Sequence, residues 1–464
     1  MKTIAKSSWI KFAVRMAIWL PFCLWMESGW LFVLGTLLIA DVCLTKWIPW
    51  NIRQRVTNPT LKTFVGWVDD ILFAMIFVYV VNLFWFQNYR IPSSSLEKSL
   101  LVGDFLFVSK LSYGPRVPNT PLSFPFAQNK MPFFGGKSYI EWPQWPYKRL
   151  RGFGEVQRND IVVFNFPAGD TVALNKENPD YYTSVAERGR YAVWTNQGEF
   201  GEIVYRPVDR RENFVKRCVG LPGDTLQVIY NQLYINGVEV ENPEHMQLDY
   251  FVETTGSPLT EEHFRLLGIS KEDRFMVSSS YPGRLLLHLG FKPQASGQFN
   301  PIYLMPLTEE KLAIARKLSS ISAVHLQSDS IFRAIYYPVD YPTGWTRDNY
   351  GPIWIPCKGA TIELNEWNLA LYHRCIRNYE NNSLEQRDGH VYINGQAQDT
   401  YTFRYNYYWM MGDNRHRSAD SRSWGFVPED HIVGKPIFIW LSIDKDRSLF
   451  DGFIRWNRLY TSVQ

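Results

Sequence analysis

N-terminal transmembrane α-helices plus a mainly antiparallel β body, with an inserted mixed α/β subdomain, is the fold class this sequence predicts. Three observations carry the prediction. Long apolar runs are confined to the first 86 residues. Short β-forming runs, punctuated by Asn-Gly and Pro-Gly turns, follow them. A helix-bearing stretch then separates two nearly identical strings, LYING at 233–237 and VYING at 391–395.

The apolar runs come first. Met16–Met26 is apolar apart from Pro21, Trp30–Leu44 apart from Thr36 and Asp41, and Ile71–Phe86 apart from Asn82. Each is shorter than the roughly 20 residues of an ideal span, and flanking Trp and Phe lengthen it. Three spans are expected; reading 16–44 as one irregular element or re-entrant hairpin leaves fewer. Lys2 and Lys6 precede the first run, and Lys46, Arg53, Arg55 and Lys62 precede the last. Cytoplasmic loops carry the excess of Lys and Arg, which puts both stretches inside and everything after Phe86 outside. Successive apolar runs, with no small-residue site closing the first, disfavour a cleavable signal peptide.

From about residue 88 the pattern changes. Asp104–Ser109, Asp160–Phe166 and Gln227–Ile235 are rich in Val, Ile, Phe and Tyr and read as strands. Asn-Gly at 236–237 and 394–395 is a strong hairpin signal, so two similar hairpins are predicted. Residues 115–150, rich in Pro, Phe, Trp and Gly, read as an extended loop lying on a surface. The segment 241–388 holds helix-like stretches at Thr260–Leu267, Thr308–Leu318 and Asn365–Asn378, with Thr308 as an N-cap.

Composition narrows the function classes. The net charge is +4, and basic residues alternate with acidic ones, so nothing points to a nucleic-acid partner. The five cysteines have no CxxC-type spacing, which argues against zinc. Cys357 and Cys375 could pair in an oxidising compartment, but spacing does not decide it. The eight histidines show no metal-ligand spacing; His373, His416 and His431 read as structural or surface residues.

Three blocks after the last apolar run carry chemistry. Ile91-Pro92-Ser93-Ser94-Ser95-Leu96 puts serines close to the membrane; taken alone it reads rather as a Ser-rich juxtamembrane linker. Asn213–Asp224 carries Lys216 on an apolar strand ending in a Pro-Gly turn. Burial would lower the pKa of that lysine and make it a usable base; a snorkelling lysine on a wet face is the bland alternative. Met410–Arg422 is dense in Gly, Asp, Asn, Arg and Ser between apolar flanks, which suggests a tightly bonded turn in which Asp420 and Arg422 could pair; a polar surface loop is the equal alternative for this block alone.

Together the blocks IPSxS, DIVVF, KRxVGLPGD and GDNRxxSxDSRxWGFVP, in that order, resemble the bacterial type I signal peptidases. The resemblance covers the last apolar run, 87–237 and 408–440. It implies a serine–lysine endopeptidase that removes signal peptides from exported preproteins after small residues, at Ala-x-Ala sites, through an acyl-enzyme. Ser95 matches the nucleophile and Lys216 the general base. Ser93, with the backbone N–H of Ser95, matches the oxyanion hole. Ser418 matches the serine that orients the lysine, and Asp420 and Arg422 a supporting ion pair. Ile91, Leu96, Leu100 and Val215 match substrate-pocket positions. No metal or organic cofactor is expected. The implied partners are preproteins, membrane lipid and the secretion translocon. The implied place is the bacterial cytoplasmic membrane, multi-pass, with the catalytic body on the periplasmic side. The expected division is an anchor at 1–87, a catalytic β domain at 88–240 and 389–464, and the inserted subdomain at 241–388.

The chain also departs from the family pattern. Where the family often has Ser-Met-x-Pro-Thr-Leu, this chain has Ser95-Leu96-Glu97-Lys98-Ser99-Leu100, so the turn lacks a stiffening proline. His416 stands where the family often has Asp. Cys218 shares the face of Lys216 on a strand and is expected to pack near it. Two other classes are weighed: a retired family member that only binds exported polypeptides, and a self-cleaving repressor-type relative. The intact Ser95, Lys216 and Ser418 argue against the first, and the apolar anchors against the second.

Overall fold

A computed structural model of the chain describes residues 5–27, 29–48, 56–131, 135–329, 335–448 and 451–463. Lys2, Arg53 and Arg55, which bear on the orientation argument, lie outside them. The chain forms two compact units: Met1–Gln87 with Lys110–Gly154, and Asn88–Ser109 with Glu155–Gln464.

The first unit contains the three apolar runs as helices α1 (Lys6–Met26), α2 (Gly29–Ala40) and α3 (Pro59–Phe84). The helices reach upstream of the apolar runs that signal them. α1 carries Pro21 and ends at Glu27 in the left-handed region. α2 runs into a π-helical turn, Asp41–Thr45. Arg15 Nη1 donates to Cys43 Sγ at 3.0 Å, tying α1 to that turn. α3 is capped by Asn58, whose side chain accepts from the N–H groups of Thr60 and Leu61, with Pro59 at the first helical position. Among the described residues α1 and α3 are long and apolar enough to cross a bilayer, whereas the apolar helical stretch Phe32–Thr45 is shorter. α3 stops at Phe84, and Phe86, read as the end of the last apolar run, already begins a strand. The described residues of 115–150 are more ordered than an extended loop. They double back in a ragged hairpin with bridges Arg116–Arg149, Ser123–Tyr139 and Lys130–Lys137. Lys148 Nζ donates to Met26 O at 3.0 Å and Trp25 Nε1 to Arg151 O at 2.9 Å. Met26, Phe84, Val117 and Leu150 share one apolar cluster.

The second unit is built on one large sheet. Its strands are β1 (Phe86–Arg90), β2 (Asp104–Ser109), β3 (Ile161–Asn165), β4 (Asn213–Gly220), β5 (Tyr407–Met411), β6 (Val427–Pro428) and β7 (Ile432–Ser442), with a short eighth strand, Thr461–Ser462, paired to β7. Their order is β1-β2-β7-β3-β4-β5-β6. The β2–β7, β7–β3, β3–β4, β4–β5 and β5–β6 pairings are all antiparallel. β3 is buried along its whole length, as its unbroken run of Ile, Val and Phe dictates.

Gln227–Ile235, read as one strand, is two: Thr225–Ile229 and Gln232–Ile235, joined by Tyr230-Asn231 with φ of 48° and 67°. Asparagine tolerates the left-handed region, so the turn needs no glycine. Asn236-Gly237 then turns the chain again into Val238–Glu239. The second string repeats the arrangement. Leu384–Arg387, His390–Ile393 and Gln396–Ala397 are joined by Asp388-Gly389 and Asn394-Gly395, all at positive φ. In both meanders the asparagine side chain accepts a backbone N–H, from Thr225 at 2.8 Å and from Ser383 at 3.0 Å. The predicted pair of hairpins is a pair of three-stranded meanders.

Between them, Phe275–Met276, Ile302–Leu307, Leu248–Thr254 and Ile321–Leu326 form a separate antiparallel sheet. Helix Glu261–Leu267 starts in a capping box, Thr260 with His263, and Glu309–Ala315 starts on Thr308. Two apolar clusters, around Val252 and Phe251, serve this sheet. Tyr337, Tyr350, Leu369 and Tyr372 instead join the core shared by the two meanders. Helix Glu366–Arg374 continues as a π turn, Cys375–Tyr379, close to its predicted end.

Candidate functional site

Lys216 lies mid-way along β4, opposite Val162 of β3. Alternation puts it on the same face as Phe214, whose ring centroid is 5.8 Å from Nζ. Phe214 stacks on Phe166 at 4.5 Å and meets Trp424 at 5.5 Å. Lys216 is 5% exposed. Burial pushes its pKa down to about 8, with the Asp420 and Asp413 carboxylates pulling the other way. Nζ donates to Ser95 Oγ at 2.6 Å, the two residues being 121 positions apart.

Ser95 occupies a single 3-10 turn, Ser94–Leu96, just after β1. Its carbonyl accepts from Asn414 N–H at 3.1 Å, and Ser94 O from Asn414 Nδ2 at 3.4 Å. Four residues on, Ser99 Oγ donates to Asp413 Oδ2 at 2.6 Å. Arg217, next to Lys216, grips the same carboxylate with Nε and Nη2, both at 2.8 Å. Asp413 therefore joins β4 to the turn after Ser95. Burial works to raise its pKa, and the Arg217 guanidinium holds it below the ordinary value.

Behind the lysine, Asp420 and Arg422 do pair, Nε to Oδ1 at 2.9 Å and Nη2 to Oδ2 at 2.7 Å, both fully buried. Asp420 Oδ2 also accepts Gly412 N–H at 3.1 Å. Arg422 Nη2 donates to Arg415 O at 2.7 Å, closing the turn on itself. Burial would raise the Asp420 pKa, and Arg422 keeps it ionised. Gly412 has no room for a side chain. A Cβ there would lie 2.3 Å from Ser418 Oγ and 2.6 Å from Ser95 O.

A buried, pKa-lowered lysine on a serine hydroxyl, braced by an Asp–Arg pair, is an arrangement suited to activating that hydroxyl. Residues 64–280 and 355–441 match the family described as signal peptidase, peptidase S26. The chain belongs to that family. Membership makes it a hydrolase and a serine peptidase of the signal peptidase type. A relative named Signal peptidase I from Buchnera aphidicola (subspecies Baizongia pistaciae) is 22% identical over 437 residues, 93% of this chain and 94% of that one. Another of that name, from the Acyrthosiphon pisum subspecies, is 23% identical over 382 residues, covering 82% and 76%. The one from Haemophilus influenzae is 46% identical over a short stretch of 57 residues, 12% of this chain and 16% of that one.

Within this S26 chain the remaining expected residues fall as follows. Ser93 is exposed and extended, one residue before the 3-10 turn. Ile91, Leu96 and Leu100 are buried in one apolar cluster, with Val215 packed against it. Ser418 is half-buried, and its Oγ donates to Ala419 O at 3.4 Å. Cys218 is fully buried, its Sγ facing Gly220 O at 3.5 Å, and burial pushes the thiol pKa up. Cys357 and Cys375 are both free thiols. His373 Nδ1 faces Leu369 O at 3.1 Å, and His431 is buried between Arg211 and Asp430. A polar cavity of about 530 Å³ touches Lys98, Ser99, Arg217, Glu241, His245 and Arg458, without Ser95 on its wall.

Sequence reasoning missed Gly412, Asp413 and Asn414 as site residues. Their signal was present: Gly-Asp-Asn sits in the third block beside Ser418. What it lacked was the partner, since Ser95 lies more than 300 residues away.

Proposed function

We propose that this chain is a membrane-bound signal peptidase I. In this reading it cuts exported preproteins after small residues, at Ala-x-Ala sites, using Ser95 and Lys216. The observation that carries it is the 2.6 Å contact between Lys216 Nζ and Ser95 Oγ, made by a buried lysine whose pKa is drawn down to about 8. Lys216 in its neutral form takes the Ser95 proton as Oγ adds to the scissile carbonyl. The oxyanion develops against the backbone N–H of Ser95 and the exposed Ser93 hydroxyl. The lysine then gives its proton to the leaving amine, and next takes one from the water that hydrolyses the acyl-enzyme. None of these steps calls on a metal or organic cofactor.

Ser418 turns its hydroxyl from Ala419 O toward Lys216 in the working complex, and Asp420–Arg422 stiffens the turn behind both. Substrate lies extended along the sheet edge, with its small side chains against Ile91, Leu96, Leu100 and Val215. Relatives carrying the name Signal peptidase I span nearly the whole chain, which supports signal peptides as the substrate class. The apolar helices anchor the protein in the bacterial cytoplasmic membrane: α1 and α2 return the chain to the inside, and α3 carries it out, with the β body on the periplasmic side. Membrane lipid and the secretion translocon are its neighbours there. The division into an anchor (1–87), a catalytic β domain (88–240 and 389–464) and an inserted mixed α/β subdomain (241–388) belongs to the same proposal.

The test is processing of a preprotein with an Ala-x-Ala site in detergent or liposomes, the cut read by mass spectrometry. Cleavage after the small residue by wild type, and by neither Ser95→Ala nor Lys216→Ala, is the expected result. A folded wild type that leaves several preproteins intact would move a binding-only role to the front.

A further inference from the structure

Two of the departures from the family pattern, Lys98 and His416, face the same part of the chain. Lys98 Nζ donates to Gly268 O at 2.5 Å. Gly268 caps helix Glu261–Leu267, so its carbonyl lies at the negative end of that helix. Lys98 has φ of 75°, a conformation closed to proline, whose ring holds φ near about −65°. The turn after Ser95 therefore cannot be stiffened from within by the family's proline. It is held from outside, by its own ammonium bonded to a carbonyl of the segment between β4 and β5.

His416 repeats the pattern on the other turn. Its Nδ1 accepts the backbone N–H of Asp249 at 3.1 Å, which assigns the ring proton to Nε2. Nε2 stands 3.1 Å from Asp348 Oδ1. An aspartate at 416 would set a further carboxylate against Asp348 and Asp249. The neighbouring Arg417 donates to Asp249 Oδ1 at 2.8 Å, Asp273 Oδ1 at 2.6 Å and Leu304 O at 3.2 Å. Gln247 joins the two backbones, donating to Asp413 O and accepting from Arg415 N–H, both at 2.9 Å. Asp413 and Asn414, pinned by this bridge, are the residues that hold Ser99 and Ser95.

We propose that the segment carrying Gln247, Asp249, Gly268, Asp273 and Asp348 is a clamp that sets the position of Ser95 against Lys216, with Lys98 and His416 as its positioning residues. This rests on the Ser95–Lys216 reading above. Neither residue meets substrate. Both act through the turns they hold, so their loss lowers kcat and leaves KM nearly unchanged.

The test is steady-state cleavage of the same preprotein by the full-length protein in detergent, with rates expressed per folded molecule from near-ultraviolet circular dichroism and Tm. Lys98→Met keeps the aliphatic stem and removes the ammonium. It is expected to lower kcat roughly 10- to 100-fold, as a displacement of about 1 Å would, with KM within about twofold. Lys98→Arg should recover most of the loss, and Lys98→Pro should be worse than Met although it restores the family residue. His416→Asp should show the same kcat loss, and adding Asp348→Asn should recover part of it. Wild-type kcat in Lys98→Met, a rise in KM alone, or a loss matched by the folded fraction would overturn the clamp. Ser95→Ala run alongside separates the two ideas: if it cleaves like wild type, the dyad reading fails first.

Discussion

Lys216 and Ser95 meet at 2.6 Å, yet they are held in different ways. Lys216 is in the interior of a sheet, its strand laddered to β3 on one side and β5 on the other. Ser95 is in a three-residue 3-10 turn, fixed by bonds to residues more than 300 positions on. The strand would keep its course if any one side chain changed, because neighbouring backbone bonds define it. The turn has no ladder and depends on single contacts. Precision at the site should therefore be lost more easily from the serine's side than from the lysine's.

The largest expected effect removes the pair itself. Ser95→Ala and Lys216→Met should each abolish cleavage, on the order of 10³-fold or more, as read from preprotein processing. They should differ in stability. The folded state lowers the Lys216 pKa to about 8 from an ordinary value near 10.5. Folding therefore disfavours its charged form, a cost of the order of 3 kcal/mol at neutral pH. That cost is fully present below pH 8 and is relieved as pH rises toward 10.5. Lys216→Met should keep or raise Tm at pH 7, and a clear fall would contradict this account of the lysine's burial.

Gly412→Ala comes next. Its Cβ would meet Ser418 Oγ and the Ser95 carbonyl inside contact distance, so the turn must shift. Activity should fall roughly 100-fold with a smaller loss of Tm. Near-normal cleavage would show the turn to be more compliant than the comparison holds. Breaking the buried pair by Arg422→Met leaves Asp420 charged and unpaired, and should cost about 3–5 kcal/mol in denaturant unfolding.

The pH profile sharpens the comparison from the strand side. In the proposed mechanism Lys216 acts in its neutral form, so kcat/KM should fall about tenfold for each unit below pH 8 and level off above it. A limb well below 7 would mean that Lys216 is not the titrating base. The smallest effect belongs to the clamp, where Lys98→Met should lower kcat and spare KM.

Much of the fold was legible because its signals are local. Asn-Gly announced both hairpins, and Thr308 announced a helix start, since turns and caps depend on the conformational preferences of a few adjacent residues. The Tyr230-Asn231 turn was missed because its flanks are as β-forming as the strands they join. The doubling back of 115–150 was missed because its bridges join residues whose local pattern is irregular.

By itself the sequence determined the apolar N-terminal helices, the antiparallel β body and the three ordered family blocks, because hydrophobic periodicity, turn propensity and motif order are written along the chain. Only the tertiary structure decided that Lys216 is dry, that Asp413 ties β4 to the Ser95 turn, and that Lys98 and His416 look outward to one segment. Those facts depend on burial and on bonds between residues 167 to 314 positions apart, which no local pattern records.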